Sequence, residues 1–494
     1  MKKYILAIDQ GTTSSRAIIF DEAAHIIAQA QEEVHCTYPH PGWVEQDPLE
    51  IWSSVSATVN EALIKSNLGM RHIAAIGITN QRETTIVWDR KTGMPVYPAI
   101  VWQSRQSSDI CARYEDKKDL IHRKTGLLLN PYFSASKIRF ILEATKGETR
   151  AQKGELLFGT VDSWILYKLT NGEVHATDVT NASRTMLYNI FTNEWDSELL
   201  DLFKIPRAML PEVKCCSGKY GEAKYFNVKV PITAVAGDQQ AALFGHACFD
   251  RGQIKNTYGT GCFMLMNIGP EPILSTHGLL TTVAWSLDGK RTYALEGSVF
   301  VAGASVQWLR DQLKLIANSS DSERSALMVS DSEGVYVVPA FVGLGTPYWD
   351  NEARGAMFGL TRNTSKYHIV RATLESIAFQ SKDLIEAMKG DAGLELPFLV
   401  VDGGATANNY LMQFQADLLG HQLKIPVCLE TTALGAAYLA GLAIKYWTSL
   451  EQIKTIHAYR STFTPKMPAA EVTQRYDGWK QAVAATRMFK PSRR

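Results

Sequence analysis

One local pattern occurs twice in the chain, at its start and again past its middle: an apolar run, a polar turn that contains Gly-Thr, and a second apolar run. In the first copy, Tyr4–Ile8 and Arg16–Phe20 flank the turn Asp9–Ser15. In the second copy, Ile254–Tyr258 and Cys262–Asn267 flank a Gly-Thr-Gly turn. Short apolar runs joined by a glycine turn predict β-hairpins. Their repetition predicts two lobes of related design.

The length of the chain agrees with this division. At 494 residues the chain is too long for one hydrophobic core, and we place the lobe boundary near residue 250, which gives lobes 1–250 and 251–494. Apolar spacing predicts helices over Pro48–Leu63, Gln239–Phe249 and Val299–Ile316. The apolar runs Ala74–Ile78 and Thr85–Trp88 predict a further pair of strands. The stretch 432–444 is rich in Ala, Gly and Leu, which is typical of a helix packed closely against a neighbour. Strands and helices together indicate an α/β fold.

Charge and hydropathy limit the partners of the chain. Lys plus Arg number 51 and Asp plus Glu number 50, so the net charge is +1, and no basic stripe is visible. This balance argues against nucleic acid and anionic membranes as partners. The apolar run Tyr4–Ile8 is too short for the core of a signal peptide, and no apolar run reaches membrane-spanning length. We therefore expect no nucleic-acid partner, no membrane insertion and a cytoplasmic location.

The first turn carries groups that suit a phosphate. Several backbone N–H groups and hydroxyls converge in Gly11–Ser15, and Arg16 follows directly. Asp9, just before the turn, could hold Mg²⁺ through water. An ordinary hairpin with a polar turn would have the same sequence, so the turn alone does not decide between the two interpretations.

The helix-borne phosphate loops of other nucleotide-binding proteins are missing from the sequence. It contains no G-x-x-x-x-G-K-[ST] pattern, and no G-x-G-x-x-G follows a strand. A nucleotide would therefore be held by hairpins, as in the actin-like ATPases. This predicts two actin-like (ribonuclease H-like) α/β lobes with the active site in the cleft between them.

Several longer motifs resemble the FGGY carbohydrate kinases, and in particular members of that family that act on glycerol. The resemblance covers nearly the whole chain, and its segments are Asp9–Arg16, Asn80–Thr85, Gly237–Ala242, Tyr258–Phe263, Gly355–Glu375 and Asp402–Ala405. The signature at Tyr132–Ala144 fits less well. Phe140 replaces the usual Trp and Ala144 a polar residue, whereas Lys137 is kept.

The resemblance implies that Asp238 is the general base, which takes the proton from the attacking hydroxyl. A carboxylate at a strand end in a closed cleft suits that role. The alternative is a structural one, in which Asp238 caps a helix that begins at Gln239.

The resemblance also implies a glycerol pocket. Its polar residues would be Arg82, Glu83, Tyr132, Asp238 and Gln239, and its apolar residues Trp102 and Phe263. In a regular strand Arg82 and Glu83 would point to opposite faces, so we expect a bent backbone there. Outside this resemblance, Arg82-Glu83 would be interpreted as a surface ion pair and the two aromatic residues as core.

For ATP, the resemblance implies a set of residues in both lobes: Thr12, Thr13, Ser14, Arg16, Thr260, Gly303, Gln307, Gly404 and Asn408. Asp9 and Asp238 would hold Mg²⁺. Gly303 and Gln307 lie four apart on the predicted helix, and Gly404 and Asn408 have the same spacing, so each pair could face one ligand. Taken singly, each glycine could equally be a packing residue.

The activity implied is transfer of phosphate from ATP to glycerol, giving sn-glycerol 3-phosphate, the first step of glycerol catabolism, by a homodimer or homotetramer. The first lobe would bind glycerol and carry one phosphate hairpin; the second would carry the other hairpin and bind adenosine. Two alternatives remain, a kinase for another polyol or a ketose and a non-metabolic actin-like ATPase.

Some bacterial relatives are inhibited by fructose 1,6-bisphosphate through a glycine-rich loop, and others are activated by phosphorylation of a histidine in that region. Here Gly221–Val230 has no glycine after Gly221 and alternates like a short strand, and no histidine lies between His175 and His246. We therefore expect insensitivity to both controls.

Overall fold

The computed structural model describes residues 3–489, which form two large mixed β-sheets with helices packed on them. The strands are β1 (Tyr4–Gln10), β2 (Ser14–Phe20), β3 (Ile26–Glu33), β4 (Glu45–Gln46), β5 (Ile73–Asn80), β6 (Ile86–Asp89), β7 (Ala99–Ile100), β8 (Leu156–Gly159), β9 (Ala176–Asp178), β10 (Tyr188–Asn189), β11 (Glu194–Trp195), β12 (Glu212–Lys214), β13 (Ser217–Ala223), β14 (Val230–Gly237), β15 (Ile254–Tyr258), β16 (Cys262–Gly269), β17 (Leu280–Leu287), β18 (Lys290–Val299), β19 (Tyr336–Val338), β20 (Ala356–Phe358), β21 (Leu399–Gly403), β22 (Leu423–Pro426) and β23 (Tyr459–Phe463).

Helices fill the connections between these strands. They are α1 (Pro48–Ser66), α2 (Ser108–Ala112), α3 (Lys118–Thr125), α4 (Ser134–Ala144), α5 (Glu148–Gln152), α6 (Val161–Leu169), α7 (Val179–Ala182), α8 (Ser197–Phe203), α9 (Asp238–Gly245), α10 (Gly303–Asp311), α11 (Asp321–Ala326), α12 (Lys366–Ala392), α13 (Asn409–Leu419), α14 (Thr431–Ala443), α15 (Leu450–Ile456) and α16 (Ala469–Met488). Short 3₁₀ turns cover Met70–His72, Glu115–Lys117, Arg207–Met209 and Gly404–Ala407. Among the helices within residues 3–489, none has both the length and the apolar character needed to cross a membrane.

The first sheet has the strand order β13-β14-β5-β1-β2-β3. Its central strands are buried on both faces: Ile5 and Ala7 pack into one core and Leu6 and Ile8 into the other, as side-chain alternation along a strand requires. Strands β1, β5 and β14 run parallel. Their carboxyl ends therefore meet at one edge of the sheet.

The second sheet repeats this design. Its order is β17-β18-β16-β15-β21-β22-β23, and the run from β18 to β23 matches the run from β3 to β13 pair by pair: antiparallel, antiparallel, parallel, parallel, antiparallel. The internal repeat predicted from the two hairpins is thus present in the strand topology. The α/β fold with two related lobes is confirmed, and the exact lobe boundary at residue 250 stays a prediction.

Helix α14 belongs to the second half of the chain but packs on the first sheet and against α9. Two glycines permit the close crossing: a Cβ on Gly245 would lie 1.9 Å from the carbonyl oxygen of Thr431, and one on Gly435 would lie 1.8 Å from that of Ala241. The Ala- and Gly-rich composition of 432–444 therefore reflects a helix pair in backbone contact, as predicted.

Some local expectations need correction. The helix predicted over Val299–Ile316 is only α10, because Val299 still belongs to β18. The helix expected over Gln239–Phe249 is α9, which starts one residue earlier and ends at Gly245. Strands β5 and β6, adjacent in sequence, lie in different sheets, since β6 pairs with β8.

The stretch Gly221–Val230 is also not one strand. Strand β13 ends at Ala223, and a turn with Asn227 at φ 59° connects it to β14. Insensitivity to fructose 1,6-bisphosphate and to histidine phosphorylation stays a prediction.

Candidate active site

The parallel strands of the first sheet bring three polar segments to one edge. Gln10 is in register with Asn80, and Asn80 with Gly237. The turn after β1, the Arg82-Glu83 segment after β5 and Asp238 at the start of α9 therefore lie side by side. Residues from three distant parts of the sequence meet there because parallel strands end at the same edge.

Arg82 is the centre of a buried ion network at this edge. Its Nη1 and Nη2 donate to the two carboxylate oxygens of Glu296, at 2.6 and 2.8 Å. Its Nε lies 3.3 Å from Oδ1 of Asp238. The bidentate pair fixes the plane of the guanidinium, and so fixes the Nε that faces Asp238.

Glu83 lies on the bend that the sequence predicts. Its φ is +61°, and the N–H of Thr84 donates to the carbonyl of Arg82 at 2.6 Å. The side chain of Glu83 then accepts from Nε of Arg184 at 2.6 Å. Burial raises the pKa of Glu83 and outweighs the opposing effect of Arg82 and Arg184.

Two members of the network, Glu296 and Arg184, were not found by sequence reasoning. Arg184 Nη2 donates to Glu296 at 3.1 Å, and both side chains are fully buried. Burial alone would raise the pKa of Glu296, but Arg184 and Arg82 outweigh it and hold that pKa at about 2. A carboxylate among the apolar and small residues at the end of β18, Ala294–Val299, is the signal that could have identified Glu296.

An aromatic wall stands beside these charges. The ring of Trp102 makes edge contacts with Tyr132 and Phe263, at centroid distances of 5.5 and 6.1 Å. Its Nε1 donates to Oγ1 of Thr12 at 2.8 Å. The aromatic residues that would have been interpreted as core, Trp102 and Phe263, are only half-buried and contact each other across the two halves of the chain.

Asp238 is the first residue of α9, and Gly237 occupies the N-cap position. The carboxylate accepts from the N–H of the next residue, Gln239, at 2.7 Å, whereas an N-cap side chain accepts from a backbone N–H two or three residues further on. Its side chain is 28% exposed, whereas Arg82 beside it is buried. Asp238 is therefore not the N-cap of α9, although its carboxylate accepts a first-turn N–H, and the carboxylate is partly accessible to solvent.

Asp9 lies deeper, at the end of β1. Burial raises its pKa to about 7; Arg16 opposes the shift, and the charges of Asp238 and Glu430 add to it. Within residues 3–489, no cluster of three or more His, Cys, Asp or Glu side chains could hold a metal on its own. The pair Asp9 and Asp238 instead fits Mg²⁺, which keeps most of its waters and takes one or two carboxylates together with phosphate oxygens.

The first turn is partly exposed to solvent. The N–H of Gly11 donates to the carbonyl of Ser14, and the carbonyl of Thr12 accepts from the side chain of Gln46. Thr13 is exposed. Arg16, on β2, pairs with Glu430 at 3.2 Å and thereby connects the first hairpin to the residue before α14.

The second turn packs on the helix that follows β18. The carbonyl of Gly259 accepts from the N–H of Gly303, and a Cβ on Gly303 would lie 2.5 Å from that oxygen. Gly303 therefore has a packing role, whatever else it does. Thr260 is exposed on the turn, and Gln307 is exposed one helical turn after Gly303, as predicted.

Gly404 and Asn408 do not lie on one helix, which corrects the spacing argument for that pair. Gly404 starts a 3₁₀ turn that runs to Ala407, and Asn408 is the N-cap of α13, accepting from the N–H of Leu411 at 2.9 Å. Gly404 remains beside the second turn, since Gly403 is in register with Tyr258.

Lys255, on β15, is a further buried residue that sequence reasoning missed. It donates to the side chain of Gln239 and to the carbonyl of Phe263. Burial lowers the pKa of Lys255 to about 8, and Asp402, Asp238 and Glu296 limit the decrease. A lysine in a short strand that leads directly into a glycine turn was the available signal.

Comparison with known proteins agrees with this geometry. The model of the FGGY family of carbohydrate kinases, N-terminal domain, matches residues 4–245, and that of the C-terminal domain matches residues 254–444. The chain is 56% identical to a glycerol kinase from Halalkalibacterium halodurans and 58% identical to one from Fusobacterium nucleatum. The first alignment covers 99% of this chain and 100% of the relative, and the second 99% of each.

Solved structures give the same result. The fold matches glycerol kinase from Plasmodium falciparum with ADP at a TM-score of 0.92 and 37% identity, over 98% of each chain. It also matches a ligand-bound xylulose kinase from Lactobacillus acidophilus at a TM-score of 0.88 over 98% of each chain, where 23% identity indicates a shared fold alone. From the two matched models and the full-length relatives, the chain belongs to the FGGY family of carbohydrate kinases.

Proposed function

We propose that this protein transfers the γ-phosphoryl group of ATP to glycerol and releases sn-glycerol 3-phosphate. The observation that carries the proposal is the reachable carboxylate of Asp238 beside the fixed guanidinium of Arg82, next to the wall of Trp102, Tyr132 and Phe263. The full-length similarity to proteins named glycerol kinase supports the choice of substrate.

Asp238 acts as the general base. A substrate hydroxyl within hydrogen-bond distance of its carboxylate can pass its proton to that carboxylate as the oxygen attacks phosphorus. Arg82 assists by holding the hydroxyl and the carboxylate in one place, because Glu296 leaves its guanidinium a single orientation. Catalysis then depends mainly on positioning and charge.

The remaining pocket residues recognise glycerol. Glu83, Tyr132 and Gln239 provide polar groups for the hydroxyls, and Trp102 and Phe263 cover the carbon atoms. A triol of this size has little apolar surface, so most of its binding energy must come from paired hydrogen bonds. The fixed side chains of the ion network suit that requirement.

The two turns bind the nucleotide. In the first lobe, the phosphates are bound by Thr12, Thr13, Ser14 and Arg16. In the second lobe, the nucleotide is bound by Thr260, Gly303, Gln307, Gly404 and Asn408. Asp9 and Asp238 would hold Mg²⁺, which supplies charge neutralisation for the transferred group. Arg16 must exchange its partner Glu430 for phosphate on this proposal.

We further propose that lobes 1–250 and 251–494 close over the substrates and exclude water from the transferred phosphoryl group. The family resemblance also supports a cytoplasmic homodimer or homotetramer. Size-exclusion chromatography with light-scattering detection measures that oligomeric state directly.

Release of ADP with and without glycerol tests the proposal against a non-metabolic ATPase. We expect glycerol to increase ADP release strongly, with one glycerol phosphate formed for each ADP. Equal rates with and without glycerol would favour the ATPase. A kinase for another polyol or a ketose would respond to its own substrate in the same assay.

A further inference from the structure

All three N–H donors of the Lys255 ammonium group have an acceptor. Its side chain is completely buried, and it donates to Oε1 of Gln239, to Oγ1 of Thr257 at 3.0 Å and to the carbonyl of Phe263 at 3.2 Å. An ammonium group carries three N–H donors. Each donor therefore has one acceptor, and the position of the nitrogen is determined from three directions.

This environment decides which way the amide of Gln239 is turned. A protonated lysine can only donate, so the atom of Gln239 that faces the Lys255 ammonium group is the carbonyl oxygen. The amide nitrogen, with its two N–H donors, is then turned away from Lys255. Gln239 itself is half-buried and follows Asp238 directly.

We propose that Lys255 is a positioning residue, which makes Gln239 a hydrogen-bond donor to a substrate hydroxyl oxygen. The inference rests on the proposed function, because it assumes that Gln239 contacts glycerol. Adjacent residues then present opposite groups: Asp238 accepts a hydroxyl proton and Gln239 donates to a hydroxyl oxygen. Without Lys255 the amide of Gln239 could rotate and point its oxygen at the substrate. That oxygen would then accept a hydrogen bond from a hydroxyl, as Asp238 does, and the donor to the hydroxyl oxygen would be lost.

The test is a double-mutant cycle on glycerol KM with the full chain. Lys255→Met removes the ammonium group and keeps an unbranched apolar side chain in the buried site. We expect glycerol KM to rise about tenfold, as loss of one fixed hydrogen bond predicts, with ATP KM changed by less than about twofold. In a Gln239→Met background, where no amide remains to be turned, the same substitution should raise glycerol KM by less than about twofold.

Two further variants sharpen the result. Lys290→Met removes an exposed lysine from the same half of the chain and should leave both KM values unchanged. Gln239→Glu keeps an acceptor for Lys255 but has no N–H to donate, so glycerol KM should rise as it does in Gln239→Met. If Lys255→Met does not fold, as the lack of a cooperative melting transition would show, Gln239→Glu still tests the inference.

An equal increase in glycerol KM in both backgrounds would overturn the inference, as would an unchanged KM in Lys255→Met or in Gln239→Glu. Failure of the proposed function would look different. In that case the unsubstituted protein itself would not phosphorylate glycerol.

Discussion

Neighbouring carboxylates in the cleft differ because their surroundings differ. Asp238 is partly exposed and faces the Nε of Arg82, whereas Glu296 is fully buried and takes both terminal nitrogens of the same guanidinium. Arg82 thus keeps one carboxylate fixed and leaves the other available for proton transfer. The roles of the two acids differ because Glu296 contacts the two Nη atoms of Arg82 and Asp238 contacts its Nε.

The first prediction concerns Asp238→Asn, which keeps the side-chain shape and removes the base. We expect turnover to fall by about two orders of magnitude or more, while ATP and glycerol still bind. Steady-state kinetics and isothermal titration measure the two effects separately. The matched control is Asp288→Asn, in an exposed turn at φ 49°, which should leave turnover and binding unchanged. Retention of most of kcat in Asp238→Asn would show that Asp238 is not the base.

The second prediction concerns Trp102→Ala, which opens the aromatic wall. Glycerol KM should rise by an amount equivalent to about 1–3 kcal/mol, and longer polyols should become relatively better substrates. Trp102→Phe retains an aromatic face but loses the contact with Thr12, so it should keep most of the affinity. If Trp102→Ala leaves the KM and the preference order unchanged, Trp102 lies away from the substrate.

The third prediction concerns stability and pH. Burial, with Asp178 adding to it, raises the pKa of Asp162 from 3.8 to about 7. Between these values the folded state binds more protons than the unfolded state, so stability falls as pH rises through this window. In Asp162→Asn this part of the decrease should vanish.

Thermal melting at pH 5 and pH 8 measures the effect of Asp162. The pH-dependent loss of stability should be smaller in Asp162→Asn than in the unsubstituted protein, by on the order of 2–4 kcal/mol. The hydroxyl of Thr177 can rotate to accept from the new amide, so the fold should be retained. An identical pH dependence in both proteins would mean that Asp162 is ionised throughout.

At the scale of elements, hairpins whose two strands are adjacent in sequence were predicted correctly, whereas pairings between distant strands were not. The hairpins β1-β2 and β15-β16 were correct because a short turn and its two apolar runs are adjacent in sequence. The separation of β5 from β6 was missed because β6 pairs with β8, and nothing local records that partner. The same reason explains Glu296, whose contacts with Arg82 and Arg184 span more than a hundred residues.

The fourth prediction tests the crossing of α9 and α14. In Gly435→Ala the new Cβ would meet the carbonyl of Ala241 at 1.8 Å, so the helices must separate. We expect a loss of about 1–3 kcal/mol or more in stability, as overpacking predicts. Gly69→Ala, where the added Cβ meets nothing within 4 Å and φ is −116°, should change stability by less than about 0.5 kcal/mol. Equal melting temperatures for the two variants would contradict the close crossing.

At the scale of the whole molecule, the site is built from both halves of the chain. Asp238 and Arg82 follow strands of the first sheet, whereas Glu296, Lys255 and Phe263 lie on strands of the second. Neither sheet alone holds Arg82 in its orientation. The resemblance in short motifs pointed to Arg82, Asp238, Trp102 and Phe263, which lie together in the structure. It did not indicate the buried charges of Glu296 and Lys255 that contact them.

The central claim is that this cleft phosphorylates glycerol in preference to other polyols and sugars. The most direct measurement is kcat/KM with ATP for glycerol, erythritol, ribitol, D-xylulose and D-ribulose under identical conditions. The account predicts the highest value for glycerol, because the fixed polar groups and the wall around Trp102 suit a three-carbon triol. A higher kcat/KM for any other compound of the set would contradict the account.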